Sequence, residues 1–258
     1  MVKPVSSSKV TRAAVIPCFN EEAAIAPVVM TVRKQLPTVI VVDDGSNDQT
    51  ALNAKHAGAI VLRHARNRGK GAALQTGLSH LLNSGFEWVV TLDGDGQHDP
   101  ADLPALLQCA ERTGARLVIG NRMLQAHAMP WLRRWVNRWM SQKLSELAGC
   151  PLPDTQSGFR LVHLPTWASL RLTARHFEIE SEMLMAFLAA RYPVEFVPVR
   201  VLAAARQSRI HPFTDTVRWW KWWLNIKQTS FSPSPSSSSS KQIENEDDPL
   251  FPTLAQKI

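Results

Sequence analysis

The chain has 258 residues, of which 45% are hydrophobic and 20% are charged, and it carries a formal net charge of +7. These values are ordinary for a globular protein and exclude a fully disordered, a collagenous and a polytopic membrane chain. Cys18, Cys109 and Cys150 are widely spaced and form no CxxC pair, so neither a disulfide framework nor a zinc site is indicated and a reducing compartment is favoured.

Short apolar runs alternate with helical patterns through the first half of the chain. The predicted strands are 13–18, 39–42, 59–62, 88–92 and 116–119, with helices over 70–82 and 100–111 among the segments between them. Strands as uniformly apolar as these are typical of a parallel sheet that is covered on both faces. The pattern therefore predicts an α/β fold with a mostly parallel central sheet flanked by helices on both faces.

The second half has longer amphipathic segments, and it ends in a compositional break. Helices are predicted over 130–147, 179–190 and about 214–227, with a strand over 194–201. From residue 229 onward the chain is rich in Ser, Pro and acidic residues, which predicts a disordered tail over 229–258. We therefore expect a single domain over 1–228 that ends in a Trp-rich amphipathic helix. Without the acidic tail, this domain has a net charge of +9.

Polar clusters follow three of the predicted strands. They are Asn20–Glu22, Asp43–Asp44 and Asp93–Asp95. Such residues also make ordinary turns, but parallel strands end at one edge of a sheet, and ligands bind outside that edge. Three clusters at one edge therefore favour a binding site.

The kind of ligand is narrowed by what these loops contain. Neither the GxGxxG turn of dinucleotide-binding domains nor a GxxxxGK[ST] phosphate loop is present, which disfavours a dehydrogenase and a P-loop enzyme. Asp93 and Asp95, two residues apart between glycines, suit a hard divalent ion that also binds a diphosphate. Such an ion would neutralise charge on a departing nucleoside diphosphate.

Six motifs carry a family resemblance. VIPCFNEE, VVDDGSNDQT, NRGKGAAL, LDGDGQHDP, GNR and DTQSGFR, in this order, strongly resemble the family 2 glycosyltransferases of the GT-A fold, and the nearest branch is the dolichol-phosphate mannosyltransferase and polyprenyl-phosphate glycosyltransferase group. The resemblance covers about residues 11–210. It implies an inverting transferase that moves a sugar from a GDP- or UDP-sugar to a lipid-linked acceptor, either a polyprenyl phosphate or another membrane lipid.

The resemblance also implies roles for individual residues. The implied nucleotide-binding residues are Pro17, Asn20, Glu21, Asp44, Lys70 and Asp93. The implied ligands of a Mg²⁺ or Mn²⁺ ion are Asp93, Asp95 and Gln97. The implied catalytic residues are Asp95, Asp154 and Arg160. The implied acceptor-binding residues are Arg122, Arg134, Arg138, Gln156, Ser157 and Glu180.

The chemistry of the acceptor stays open at this point. A hydroxyl acceptor needs a general base, for which Asp154 is the candidate, whereas a lipid phosphate needs only cations to position it. Asp154 has the alternative role of orienting Arg160 or closing a loop. Of Arg133 and Arg134, the sequence does not decide which points inward, and Arg206 and Arg209 are either a basic loop over the donor phosphate or a membrane-facing patch.

Seven of the nine tryptophans lie in two basic stretches. Trp131, Trp135 and Trp139 recur every four residues and form one helical stripe, for which a core position and an outer position are both open. Trp219, Trp220, Trp222 and Trp223 cover most of a helix circumference. A small core does not readily hide such a helix, so we expect it to contact a membrane surface.

Other classes of protein remain as alternatives. A sugar-nucleotide pyrophosphorylase would need a Gly- and Arg-rich loop where PCFNEE stands, and a non-catalytic membrane-binding module would not need the carboxylate motifs. Nucleic acid is disfavoured as a partner because no RNA-binding or zinc signature accompanies the basic aromatic helix. No apolar run of 18 residues occurs, so we expect a cytoplasmic protein bound peripherally to the inner face of the cell membrane.

Overall fold

The computed structural model describes residues 10–128, 130–202 and 212–230. Its centre is a seven-stranded sheet with the order β3-β2-β1-β4-β6-β5-β7. The strands are β1 Arg12–Cys18, β2 Val39–Asp43, β3 Ile60–Arg63, β4 Trp88–Thr91, β5 Leu117–Asn121, β6 Arg160–His163 and β7 Val194–Pro198. Strand β6 runs antiparallel to β4 and β5, and all other neighbouring pairs are parallel. The predicted mostly parallel sheet is confirmed.

Helices cover both faces of this sheet. They are α1 Ile25–Arg33, α2 Thr50–His56, α3 Lys70–Asn83, α4 Leu103–Thr113, α5 Trp131–Ala148, α6 Leu164–Ala168, α7 Ile179–Ala189 and α8 Pro212–Ser230. Two 3-10 segments, Pro100–Asp102 and Met123–Ala128, precede α4 and α5. Successive residues of β1 point to opposite faces, so Ala13 and Val15 join one core and Ala14 and Ile16 join the other.

The two cores differ in which helices they bury. One holds Leu78 of α3, Leu144 of α5, Phe187 of α7 and Trp219 of α8. The other holds buried residues of α1 and α4, including Val29. The helices that follow the fifth strand therefore pack on one face with α3, which brings the second half of the chain beside the loops at the carboxyl edge of the sheet.

The structure adds elements that the sequence pattern does not reveal. Strand β6 has only two apolar residues, Leu161 and Val162, and so lacks the apolar run of the predicted strands, and helix α6 has only five residues. The Trp-rich helix predicted over about 214–227 lies within α8. Arg206, Arg209 and the tail from residue 231 onward lie outside the described residues. Across the part of the chain that the structure describes, no helix combines the length and apolar character needed to cross a bilayer.

Candidate active site

The loops after β1 and β2 are joined by hydrogen bonds at the carboxyl edge of the sheet. The backbone N–H of Asn20 donates to Ser46 Oγ at 2.8 Å, and the N–H of Asn47 donates to Asn20 Oδ1 at 2.8 Å. The N–H of Glu21 donates to Thr50 Oγ1 at 2.7 Å. The Asn20–Glu22 cluster is therefore in contact with the loop that follows Asp43–Asp44.

Asp44 organises the loop that leads to α3. Its carboxylate lies 2.6 Å from His64 Nδ1 and accepts hydrogen bonds from the backbone N–H groups of Arg68 and Gly69 at 2.9 and 2.7 Å. If Asp44 contacts the nucleoside as predicted, it does so with a carboxylate that also holds this loop by hydrogen bonds. Pro17 lies buried near the end of β1, beside Val42 of β2.

A cavity of about 420 Å³ lies beside the same loops. It is lined by Gly45, Ser46, Asn47, Arg63, His64 and Ala65. Its walls come from the turn after β2 and the end of β3, so the organised loop of Asp44 borders an open space at the sheet edge.

Lys70 lies between two carboxylates. Lys70 lies at the start of α3, and Glu180 lies in the first turn of α7. The Nζ atom of Lys70 is 2.5 Å from Asp93 Oδ1 and 2.6 Å from Glu180 Oε1. Burial alone would lower the pKa of the Lys70 ammonium, but the charges of Asp93 and Glu180 outweigh it and raise that pKa. Burial would raise the pKa of Asp93, whereas Lys70 and His98 hold it well below its usual range.

The three glutamates of the α7 segment have different positions. Glu180 is 3% exposed and pairs with Lys70, and its role in acceptor binding stays a prediction. The carboxylate of Glu182 accepts hydrogen bonds from the backbone N–H groups of Thr173 and Ala174 and anchors the preceding loop. Glu178 precedes the helix and accepts from the N–H of His176.

The second carboxylate of the DGDG motif belongs to a short hydrogen-bonded loop. The N–H of Gln97 donates to Asp95 Oδ1 at 3.0 Å, and Gln97 Oε1 accepts from Arg133 Nη1 at 3.1 Å. Arg133 is therefore the arginine of the 133–134 pair that reaches this loop. Burial, followed by the nearby charge of Arg122, lowers the pKa of its guanidinium. The helical phase of α5, which the sequence alone did not fix, decides this orientation.

The DTQSGFR segment lies directly against Asp93. A methyl group added at Gly158 would lie 2.7 and 2.8 Å from the two carboxylate oxygens of Asp93, so only glycine leaves this approach open. Thr91 Oγ1 donates to the Gly158 carbonyl at 2.8 Å and fixes the segment to β4. Ser157 is fully buried, and within the described residues its hydroxyl has no hydrogen-bond partner.

Asp154 is engaged by Arg122. Arg122 Nε and Nη2 donate to the two Asp154 oxygens at 2.8 and 2.9 Å, and the Arg122 backbone N–H donates at 3.0 Å. Burial would raise the pKa of Asp154, but the charge and hydrogen bonds of Arg122 lower it. The side chains are 0% and 3% exposed, which is a poor arrangement both for a general base and for an acceptor-gripping arginine.

Arg160 and Gln156 also have scaffold contacts. Arg160 donates to the carbonyls of Thr155, Ser157 and Glu180 at 2.6–2.9 Å, and burial lowers its pKa to about 10. Asp154 therefore does not orient Arg160 through its carboxylate. Gln156 Nε2 donates to Ser181 Oγ at 2.8 Å, within a network that also includes the Trp219 indole.

The remaining predicted acceptor residues lie on α5. Arg134 is half-buried and Arg138 is exposed. Arg138 borders a cleft of about 770 Å³ between α5 and the 149–153 loop, whose wall also includes Met123, Ser141, Cys150 and Leu152. Arg138 is therefore exposed at this cleft, whereas Arg122, with which the resemblance groups it as an acceptor residue, is buried.

The two tryptophan clusters have unexpected environments. Trp219 and Trp223 of α8 are 2% and 9% exposed, and Trp139 of α5 packs against Trp219 and Trp220. Trp131 and Trp135 are 73% and 61% exposed instead. The expectation that a small core cannot hide the Trp-rich helix is therefore wrong for Trp219 and Trp223. Trp219 is covered because Trp139 of α5 and Ser181 of α7 contact it.

Comparisons with known proteins agree with this geometry. The profile of the family described as glycosyl transferase family 2 matches residues 13–163. The chain therefore belongs to glycosyltransferase family 2, and it is a glycosyltransferase with a GT-A-like fold.

Two curated relatives cover most of the chain. The undecaprenyl-phosphate mannosyltransferase of Micrococcus luteus is 31% identical over 208 residues, which is 75% of this chain and 83% of the relative. The UDP-N-acetylglucosamine–dolichyl-phosphate N-acetylglucosaminyltransferase of Methanococcus voltae is 28% identical over 211 residues, 73% of this chain and 84% of the relative.

The fold resembles a solved enzyme. Glucosyl-3-phosphoglycerate synthase from Mycobacterium tuberculosis, in complex with Mn²⁺ and UDP-glucose, superposes with a TM-score of 0.64 at 24% identity, covering 87% of this chain and 80% of that chain. At this identity the likeness concerns the fold.

Proposed function

We propose that this glycosyltransferase transfers a sugar, with inversion, from a UDP- or GDP-sugar to the phosphate of a lipid-linked acceptor. The observation that carries the choice of acceptor is the ion pair of Arg122 and Asp154. A hydroxyl acceptor needs a base to remove its proton, and the candidate base is buried and fully engaged. A phosphate acceptor is already ionised and needs none. Both relatives described above have names that specify a polyprenyl-type phosphate acceptor.

The metal would bind at the DGDGQ loop. Asp93, Asp95 and Gln97 offer oxygen atoms, which hard divalent ions prefer, and glycine at position 158 lets the DTQSGFR backbone pass close to the Asp93 carboxylate. Within the described residues no cluster of three His, Cys, Asp or Glu side chains provides a closed metal site. This donor set suits Mg²⁺ or Mn²⁺ completed by donor phosphates. When bound, the ion would neutralise charge on the departing diphosphate.

The protein's own residues would provide the rest of the donor site. The joined loops of Asn20 and Asn47 form the floor at the sheet edge, and Asp44 holds the loop that delivers Lys70. The Lys70 ammonium complements diphosphate, and Arg133 holds the Gln97 end of the metal loop. The M. tuberculosis enzyme of similar fold binds Mn²⁺ and UDP-glucose, which supports this assignment of the donor side.

Contact with the membrane would come from the amino-terminal half of α5. Leu124, Trp131, Leu132 and Trp135 are 69%, 73%, 46% and 61% exposed. Exposed Trp beside basic residues such as Arg134 is typical of helices that lie at a bilayer surface. The cysteines Cys18, Cys109 and Cys150 are unpaired, which favours the reducing, cytoplasmic side of the membrane.

A transfer assay tests this function. Purified protein is incubated with UDP- or GDP-sugars, Mg²⁺ or Mn²⁺, and vesicles that contain undecaprenyl phosphate, and the sugar recovered in the lipid phase is counted. We expect transfer that requires the metal and that falls about 10²–10³-fold or more in Asp95→Asn, because charge on the leaving group is no longer neutralised. Glu111→Gln, in an exposed ion pair with Arg12, is the matched control. Full transfer with EDTA present, or equal transfer to undecaprenol without phosphate, would contradict the proposal.

A further inference from the structure

Lys70, Asp93 and Glu180 form an ion triad that is more closely paired and less exposed to water than donor binding alone requires. The three side chains are 14%, 21% and 4% exposed, so the ammonium has little access to water. It lies 2.5 Å from one carboxylate and 2.6 Å from the other, and the Phe177 ring lies 5.4 Å away. The Lys70 ammonium is therefore shared by the buried Glu180 carboxylate and the half-buried Asp93 carboxylate, which also lies 3.3 Å from His98 Nε2.

Asp93 is also the first carboxylate of the proposed metal site. A divalent ion on Asp93 would lie close to the Lys70 ammonium, and two cations at so short a separation repel each other strongly where water is largely excluded. The side chain of Lys70 is flexible, so the ammonium can leave Asp93 without a change in α3. The Lys70 ammonium gains a new partner in place of Asp93 only when an anion enters the site.

Glu180 fits the role of an anchor in this arrangement. Its carboxylate pairs with Lys70, and its backbone carbonyl is fixed by Arg160 Nη1 at 2.6 Å. A buried carboxylate is costly without a cation. Glu180 therefore keeps Lys70 in the site when the ammonium leaves Asp93.

We propose that Lys70 is an internal counter-ion which occupies Asp93 in the donor-free enzyme and competes with the divalent metal. This inference rests on the proposed function. The diphosphate of the donor draws the ammonium away from Asp93, so metal and nucleotide each strengthen the binding of the other. Thermodynamic linkage makes this strengthening equal in both directions.

The test measures binding of Mn²⁺ itself, by the electron paramagnetic resonance signal of the free ion, with and without UDP. In the wild type we expect UDP to tighten Mn²⁺ binding by about tenfold or more. In Lys70→Met we expect Mn²⁺ alone to bind about tenfold more tightly than to the wild type, and UDP to add little. In Glu180→Gln we expect Mn²⁺ alone to bind more weakly than to the wild type, because Lys70 then has Asp93 as its sole carboxylate in the triad.

Arg133→Met is the matched control. Arg133 is a cation on α5 whose side chain contacts Gln97 of the metal loop, whereas the Lys70 side chain contacts Asp93. Equal tightening of Mn²⁺ binding in Arg133→Met and Lys70→Met would overturn the inference, since it would reflect only the loss of a nearby positive charge. Unchanged binding of Mn²⁺ alone in Lys70→Met would also overturn it. Lys70→Gln replaces Lys70→Met if thermal unfolding shows that the latter is not folded.

The proposed function and this inference fail in different ways. A wild-type protein that binds neither Mn²⁺ nor UDP under any condition contradicts the proposed donor site. A wild type that binds Mn²⁺ and UDP together, and whose Lys70→Met variant has the same affinity for Mn²⁺ alone, contradicts only the counter-ion role.

Discussion

The guanidinium of Arg122 and the carboxylate of Asp154 form a two-bond ion pair that is buried on both sides, 32 residues apart in the chain. The backbone N–H of Arg122 adds a third hydrogen bond to the same carboxylate. The pair ties the end of β5 to the loop before β6, and both oxygens of the Asp154 carboxylate accept hydrogen bonds within it.

This pair predicts a large loss of stability when one partner is removed. In Arg122→Met the Asp154 charge stays buried without its cation, and we expect a loss of about 3–5 kcal/mol in the free energy of unfolding, measured by urea titration. Arg12→Met breaks an exposed pair with Glu111 and should cost less than about 1 kcal/mol. A stable Arg122→Met enzyme that no longer transfers sugar would instead give the pair a direct role in the reaction.

The same pair predicts an acid dependence of stability. The pKa of Asp154 is lower in the folded protein than the ordinary value of about 3.9, so its contribution is complete above about pH 4 and is lost as pH falls through the folded value. We expect the stability difference between the wild type and Arg122→Met/Asp154→Leu to change below about pH 4, in the direction that disfavours the wild type. Urea titrations across this range measure it. A difference that is constant with pH would contradict the assignment.

Gly158 predicts a binding defect without a general loss of fold. In Gly158→Ala the new methyl group would press on the Asp93 carboxylate, and we expect the affinity for Mn²⁺ with UDP to fall about tenfold, as measured by calorimetry. Gly120→Ala is the matched control, because its methyl group would meet the Val199 methyls and the Phe159 carbonyl at 2.9–3.2 Å and not the Asp93 carboxylate. Loss of UDP affinity in Gly120→Ala to the same extent would show that the effect is not local.

The exposed tryptophans of α5 predict a membrane-binding defect. We expect Trp131→Ala/Trp135→Ala to bind anionic vesicles about tenfold more weakly than the wild type in a sedimentation assay, because two large interfacial side chains are lost. Trp220→Ala removes a side chain of α8 that is 38% exposed and packs on Trp139, so it should bind vesicles nearly as the wild type does. If Trp220→Ala weakened vesicle binding more than Trp131→Ala/Trp135→Ala, α8 and not α5 would be the helix that contacts the membrane.

The donor half of the site was predictable because it depends on strand ends. Asp44 and Asp93 follow apolar strands, and the parallel sheet brings such positions to one edge whatever the rest of the chain does. The prediction of Lys70 and Glu180 relied on the family resemblance, and the structure adds that they meet Asp93. The detail that Asp44 holds a loop by two backbone N–H groups depends on the path of residues 64–69, which no pattern encodes.

The acceptor half was less predictable because its contacts are long-range. The ion pair of Arg122 with Asp154 depends on the antiparallel entry of β6, a strand whose two apolar residues lie between Arg160 and His163 and give no apolar run. The exposure of Trp131 and the burial of Trp219 depend on how α5 and α8 pack together. Both helices have aromatic stripes, so composition alone could not rank their faces.

The antiparallel direction of β6 separates the two halves of the site along the chain. Parallel strands present their exits at the ligand edge, whereas β6 presents its entrance there, with Arg160 beside Thr91. The connection from Arg122 to Phe159 therefore begins and ends at this edge, and it meets the DGDGQ loop at two points, through Arg133 and through Gly158. Sequence changes within this connection should therefore alter the surroundings of Asp93 and Gln97 while the pairing of β1 with β2 and β4 stays the same.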